Sequence, residues 1–124
     1  MPKTAEQAAK ALGMRLDMNR LFKDQSYQIR LGTEIIRDYF KKMGFSYPAG
    51  IASYNAGVKA AQSWITHTPN LPIPEEGLIW IESIPFSETH HYVLRAMESY
   101  AIYRTLMGQP IGRKEWIRLY RSRP

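Results

Sequence analysis

The chain has 124 residues, 17 Lys+Arg against 11 Asp+Glu, no cysteine, and a composition that is 44% hydrophobic and 12% aromatic. That length suits one globular domain with a core that needs no covalent staples, and the lack of Cys excludes disulfides, thiolate metal ligands and thiol nucleophiles. No apolar run reaches the roughly 20 residues of a membrane-spanning helix, and residues 1–20 contain no apolar stretch of a secretory signal. The net charge of +6 invites an acidic partner, but it is unevenly spread. Lys+Arg and Asp+Glu number nine and five in residues 1–45, one and four in 46–92, and seven and two in 93–124. The middle is acidic, so no basic stripe accompanies the most motif-like stretch, and nucleic acid is not the expected partner.

In chain order, Thr4-Ala5-Glu6-Gln7 has the form of a capping box, and Ala8, Ala9, Ala11 and Leu12 precede a stop at Gly13. This predicts a short first helix. Residues 14–24 are mixed, with Asp17, Asn19 and Asp24 as turn or cap candidates. Ile29, Gly32, Ile36, Phe40 and Met43 recur at spacings of three and four, predicting a helix over about 25–43 that Gly44 ends. Pro48 suits a first turn, and Ile51, Tyr54, Val58, Ala61, Trp64 and Ile65 predict two short helices bent near Gly57.

Pro69, Pro72 and Pro74 deny backbone donors, so residues 68–74 read as a loop, after which Pro74-Glu75-Glu76 looks like a helix start that Pro85 limits. Val93, Ala96, Met97, Tyr100, Tyr103 and Met107 form the longest amphipathic run, closed by Gly108 and Pro110. Trp116 and Leu119 in the tail suit a further turn or two of docked helix about as well as the arginines suit an electrostatic contact to an anionic surface. No internal repeat and no strand alternation is present, so the expected fold class is all-α.

His67, His90 and His91 are the only histidines, and the adjacent pair points about 100° apart on a helix, which argues against a metal site. No Gly-rich phosphate loop or serine elbow is present, and no cofactor is expected. Two blocks remain: Ser53-Tyr54-Asn55-Ala56-Gly57 and Trp80 through Thr89. Taken singly, Tyr54-Asn55 reads as a helix C-terminus and Glu88 as an acid favoured in a first turn. Together, a phenol, a carboxamide and a carboxylate flanked by Trp64, Trp80, Phe86 and Tyr92 make a set that grips a sugar, whose hydroxyls need polar partners and whose faces need flat apolar walls.

At these blocks the sequence resembles the C-terminal two thirds of the catalytic domain of the soluble lytic transglycosylases (SLT family), lysozyme-like enzymes that cleave peptidoglycan. The resemblance rests on Met1-Pro2-x-Thr4-Ala5, Asn19–Leu21, Ile29–Gly32, Ser53–Gly57, Glu82–Thr89, Tyr92-Val93 and Tyr100–Gly108. It implies a helical, goose-lysozyme-like fold, cleavage of the β-1,4 bond between N-acetylmuramic acid and N-acetylglucosamine, and formation of a 1,6-anhydro sugar by one glutamic acid acting as acid and base. It further implies a supporting catalytic role for Tyr54, and substrate contacts by Glu88, Asn55, Met1, Phe86 and Tyr92. The expected partners are peptidoglycan glycan strands, with an anionic envelope surface for the basic tail, and the expected state is a monomer in the periplasm or cell envelope.

The chain also departs from the family pattern. The Glu-Ser motif that carries the catalytic acid, and the Gly-Leu-Met-Gln stretch that leads into Met-Pro, are absent, and none of Glu6, Glu34, Glu82 or Glu88 matches the acid's position. The resemblance therefore implies an N-terminally truncated domain over residues 1–111 followed by a basic tail at 112–124. A fragment of a larger enzyme is the favoured account, and a complete small glycan-binding protein without catalysis is the alternative. Loss of the acid-bearing helix is expected to leave Ile29, Ile36 or Met97 without a wall. Ser53, Val58 and His90 replace the family's usual Ala, Pro and Arg.

Overall fold

Helices account for all the regular structure among the described residues, in the order α1 (Pro2–Ala11), α2 (Met18–Lys23), α3 (Gln25–Lys42), α4 (Tyr47–Ala56), α5 (Val58–His67), α6 (Glu76–Glu82), α7 (Ser87–Leu106) and α8 (Arg113–Leu119). The structure is a computed structural model that describes residues 2–69, 71 and 75–121. The all-α expectation holds, and no described helix is long and apolar enough to cross a membrane. Packing divides the chain into two compact units, residues 1–38 and 39–124.

In the first unit, Ala8, Ala9, Tyr27 and Leu31 form a small core, with Leu12, Met14, Leu16, Leu21 and Ile35 packed against it. Helix α1 begins at Pro2, ahead of the expected capping box, so Thr4 lies inside the helix. Proline is well accepted in a first turn because its missing N–H has no helical partner there. The mixed stretch 14–24 contains a helix that periodicity missed. Asp17 caps α2 by accepting hydrogen bonds from the N–H groups of Asn19 (2.9 Å) and Arg20 (3.1 Å). Asp24 closes α2, accepts from the N–H of Tyr27 at 3.1 Å and pairs with Arg20 at 2.7 Å. The Arg20 guanidinium holds the Asp24 carboxyl below its ordinary range.

The apolar stripe read along α3 is buried only at its C-terminal end, where Phe40 packs on Tyr47 and Met43, just beyond the helix, enters the core; in the first unit another face is buried. Tyr27 and Leu31 are 2% exposed, whereas Ile29 is 61% and Ile36 is 37% exposed. The Tyr27 hydroxyl is tied to the Asp17 N–H at 2.9 Å, which orients that face toward the core. An open depression lined by Glu6, Met14, Arg15, Leu16 and Met18 also belongs to this unit and includes none of the expected site residues.

The second unit has the larger core: Met43, Ala49, Ala52, Ala61, Trp80, Ile81, Ile84, Val93, Met97 and Leu119. Met97, expected to lose its wall, is fully buried. Helix α4 buries small residues, with Ala49, Ala52 and Ser53 at 0% exposure, while Tyr47 and Ile51 pack against the core from partly buried positions. A methyl group at Gly50 would land in the Phe40 ring. Helix α6 ends at Ser83, ahead of Pro85, as expected; the helix start assigned to Pro74 and the loop residues Asn70, Pro72 and Ile73 lie outside the described residues.

The C-terminal segment is built into this unit. Leu119 of α8 is 4% exposed within the core. The Ser46 hydroxyl donates to the Arg121 carbonyl at 2.6 Å, and Arg104 donates to the Tyr100 hydroxyl (2.9 Å), the Gln109 carbonyl (2.9 Å) and Glu115 (3.1 Å). Gly77, at the start of α6, lies so close to Tyr120 that an added methyl group would overlap the Tyr120 carbonyl. Gly77→Ala is therefore expected to cost about 1–3 kcal/mol, the usual penalty of overpacking. Gly32→Ala, in an open helix interior, is expected to add up to about 1 kcal/mol. Urea unfolding followed by circular dichroism checks both signs.

Candidate functional site

The site is built at two helix ends. Ser46 opens α4 by accepting from the Ala49 N–H, and Pro48 occupies the first turn. Gly57 closes the helix with φ 92, a conformation that costs a residue without a side chain least, and its N–H bonds to the Ser53 carbonyl. Tyr54 and Asn55 thus fall in the last turn, and α5 starts immediately beyond. Ser53, which replaces the family's usual Ala, is fully buried and donates its hydroxyl to the Ala49 carbonyl at 2.8 Å, so the substitution leaves no unpaired polar group there.

The second helix end is the start of α7. Phe86 occupies the N-cap position but offers no side-chain cap hydrogen bond, and Glu88 is an exposed acid in the first turn. Negative charge is favoured there by the helix dipole. Thr89 turns inward, 2% exposed, and donates its hydroxyl to the Asn55 carboxamide oxygen at 2.7 Å. One turn further, the Tyr92 ring stacks on Tyr54, with centroids 6.4 Å apart and planes at 13°. Tyr39 meets the Tyr54 ring edge-on at 6.0 Å.

Among the expected site residues, Tyr54, Asn55 and Tyr92 are thereby brought together, Tyr54 at 39% and Tyr92 at 37% exposure. Phe86 is engaged elsewhere: its ring packs edge-on against Trp64 at 5.2 Å. Glu88 is adjacent in the chain to Thr89 and faces solvent, and Met1 lies outside the described residues. Sequence reasoning missed Tyr39 and gave Thr89 no role. Thr89 had a faint signal, as a residue four before Val93 and eight before Met97 on the buried stripe of α7. Tyr39 had none.

Burial pushes the Tyr92 phenol above its ordinary value, and the neighbouring Tyr54 adds to the shift. Burial also raises Tyr47 and Tyr120. His90 Nε2 lies 3.3 Å from Glu82 Oε2, near enough for an ion pair with a protonated imidazole, yet it is not aligned as a hydrogen bond. Among the described residues no three His, Cys, Asp or Glu side chains gather to hold a metal.

A phenol that is raised in the folded state favours folding below the unfolded value of about 10, and this contribution is lost as pH rises through the folded value. Stability is accordingly expected to fall in the alkaline range above about pH 10. Tyr92→Phe should make that fall shallower, as measured by urea midpoints across the range.

No family model matches the chain. It is 32% identical over 95 residues to a soluble lytic murein transglycosylase of Salmonella typhimurium, covering 74% of this chain and 14% of that protein. It is 30% identical over 100 residues to the soluble lytic murein transglycosylase of Escherichia coli, covering 78% and 15%. The chain thus spans about a seventh of the length of these relatives. In structure it matches an inactive mutant of the lytic transglycosylase Slt from Pseudomonas aeruginosa with a TM-score of 0.79 and 28% identity, over 93% of this chain and 19% of that one. That likeness agrees with a lysozyme-like helical fold. On these matches the chain belongs to the soluble lytic transglycosylase family.

Proposed function

We propose that this chain forms the glycan-binding part of a peptidoglycan lytic transglycosylase domain. Family membership supports peptidoglycan cleavage at the level of the family. The single observation that carries the reading for this chain is the exposed Tyr54–Tyr92 pair at the junction of α4 and α7, with Asn55 following Tyr54 in the chain and the exposed Glu88 one turn before Tyr92 on α7. Flat phenol faces cover the apolar side of a pyranose, and the polar groups meet its hydroxyls and acetamido group. Phe86 and Trp64 form a separate aromatic pair.

The reaction proposed for the domain is cleavage of the MurNAc-GlcNAc β-1,4 bond with formation of 1,6-anhydro-MurNAc. One glutamic acid protonates the glycosidic oxygen, then takes the proton of the muramic acid C6 hydroxyl as that oxygen attacks C1. Such an acid must be desolvated to stay protonated near neutrality. Glu6, Glu82 and Glu88 are exposed, outside the desolvated setting that such an acid needs, and Glu34 is engaged with Arg37 at 3.9 Å. This supports the reading that none of these four is the acid. Tyr54 then supports the reacting carboxyl group, and Glu88 holds substrate.

The alternative is a non-catalytic peptidoglycan-binding protein that uses the same surface. Mass spectrometry of purified peptidoglycan separates the two. The chain alone is expected to release no 1,6-anhydromuropeptides, and a version preceded by the Glu-Ser and Gly-Leu-Met-Gln segment of the relatives is expected to release them. Release by the chain alone would return the acid to Glu6, Glu34, Glu82 or Glu88, and silence from the extended form would favour the binding-only alternative.

The setting proposed is the periplasm, with the chain acting as a monomer. Arg113, Lys114, Arg118 and Arg121 are exposed and supply positive charge for contact with an anionic envelope surface. In co-sedimentation with insoluble peptidoglycan, neutralising these four is expected to remove the salt sensitivity of binding. Tyr54→Ala should instead weaken binding about tenfold at every salt concentration, through loss of an aromatic contact face.

A further inference from the structure

The proposed sugar-binding surface depends on how two helix ends are held: the end of α4 is closed by the Gly57 backbone N–H on the Ser53 carbonyl, and the start of α7 has no side-chain cap. Helix α4 stops at Ala56, and Gly57 at φ 92 turns the chain away. Helix α7 starts at Phe86 without a side-chain cap hydrogen bond. The apolar contacts behind them, Val93 and Met97 of α7 and Ala49 and Ala52 of α4, exclude water and set how near the two helices lie, but they carry no directional bond. One directional bond crosses between the two ends, from the buried Thr89 hydroxyl to the Asn55 carboxamide oxygen, over 34 residues of sequence.

We propose that Thr89 is a positioning residue that, by its hydrogen bond to Asn55, fixes the start of α7 on the end of α4 and so sets how the Tyr54 and Tyr92 rings face the ligand. Each partner of the clamp adjoins a residue of the surface: Asn55 follows Tyr54, and Thr89 follows Glu88 and lies one turn before Tyr92. Positions 89, 93 and 97 share the buried stripe of α7, and positions 88 and 92 share the neighbouring stripe, so anchoring the first stripe presents the second. The clamp also changes the role of Asn55. One lone pair of its oxygen is taken by Thr89, which fixes the carboxamide's orientation and with it the direction of the amide N–H donors, suited to a hydroxyl or an acetamido carbonyl oxygen.

The consequence for ligand binding rests on the glycan reading above, whereas the clamp itself does not. Thr89→Val keeps the shape, removes the donor and strands the Asn55 oxygen. Thr89→Ser keeps the donor. In the full chain, nuclear Overhauser contacts between the Tyr54 and Tyr92 rings report the geometry, and titration with a GlcNAc-MurNAc tetrasaccharide reports affinity. The expected result for a folded Thr89→Val is loss of the ring contacts and about tenfold weaker tetrasaccharide binding, with both recovered in Thr89→Ser; a tenfold loss corresponds to about 1.4 kcal/mol.

Ring contacts that persist in a folded Thr89→Val overturn the clamp, whatever the affinity does. If Thr89→Val does not fold, Asn55→Ala, which removes the acceptor from a half-buried position, is read in the same way. Lost ring contacts together with a wild-type chain that binds no tetrasaccharide uphold the clamp and sink the glycan reading instead.

Discussion

The packing of α4 against α7 is the constraint on which the second unit depends. Ala49, Ala52 and Ser53 bring almost no side-chain bulk to the interior and are fully buried, and Val93 and Met97 of α7 are fully buried as well. Interiors pack as densely as organic crystals, so a helix face of alanine and serine fixes how near its neighbours come. Ser53 satisfies its hydroxyl within its own helix, and Thr89 satisfies its own across the junction. One buried hydroxyl is therefore satisfied within its own helix and the other bonds across to a second helix end.

The chemistry available at that junction follows from exposure. Tyr54 and Tyr92 keep more than a third of their surface open, which suits them to cover a ligand's apolar face, while burial and the neighbouring Tyr54 raise the Tyr92 phenol above its ordinary value. The carboxylates of Glu82 and Glu88 are open to solvent, which suits hydrogen bonding to sugar hydroxyls. In the proposed reading this site is a binding surface, and the acid is supplied elsewhere in the enzyme.

The C-terminal segment illustrates how a charged sequence and a buried helix coexist. Arg113, Lys114 and Arg118 are exposed on α8, and Leu119 on the same helix enters the core. Two close approaches fix the segment's end: the Ser46 hydroxyl on the Arg121 carbonyl, and the Tyr120 carbonyl against Gly77. Both involve backbone atoms of residues 120 and 121, so changing the side chains there leaves the anchoring groups in place. In the proposed reading, contact with an anionic surface acts through a helix already held, without the entropic cost of ordering a free tail.

Sequence by itself determined the helical class, most helix boundaries, the punctuation at Gly57, Pro85 and Gly108, and the two motif blocks that carry Tyr54, Asn55, Glu88 and Tyr92. These are local signals: a proline lacks its N–H and a glycine tolerates positive φ wherever the chain goes. Periodicity alone misjudged α3, because an apolar stripe at Ile29 and Ile36 looks the same whether or not another surface covers it. It missed α2, because six residues capped by Asp17 are too short to show a period. Only the tertiary structure decided that Phe86 turns to Trp64, that Tyr39 abuts Tyr54, and that Asn55 gives its oxygen to Thr89. Those pairings join residues 15 to 34 positions apart, and no local pattern encodes them: they exist because the packing of small residues on α4 brings the two helix ends to hydrogen-bonding distance.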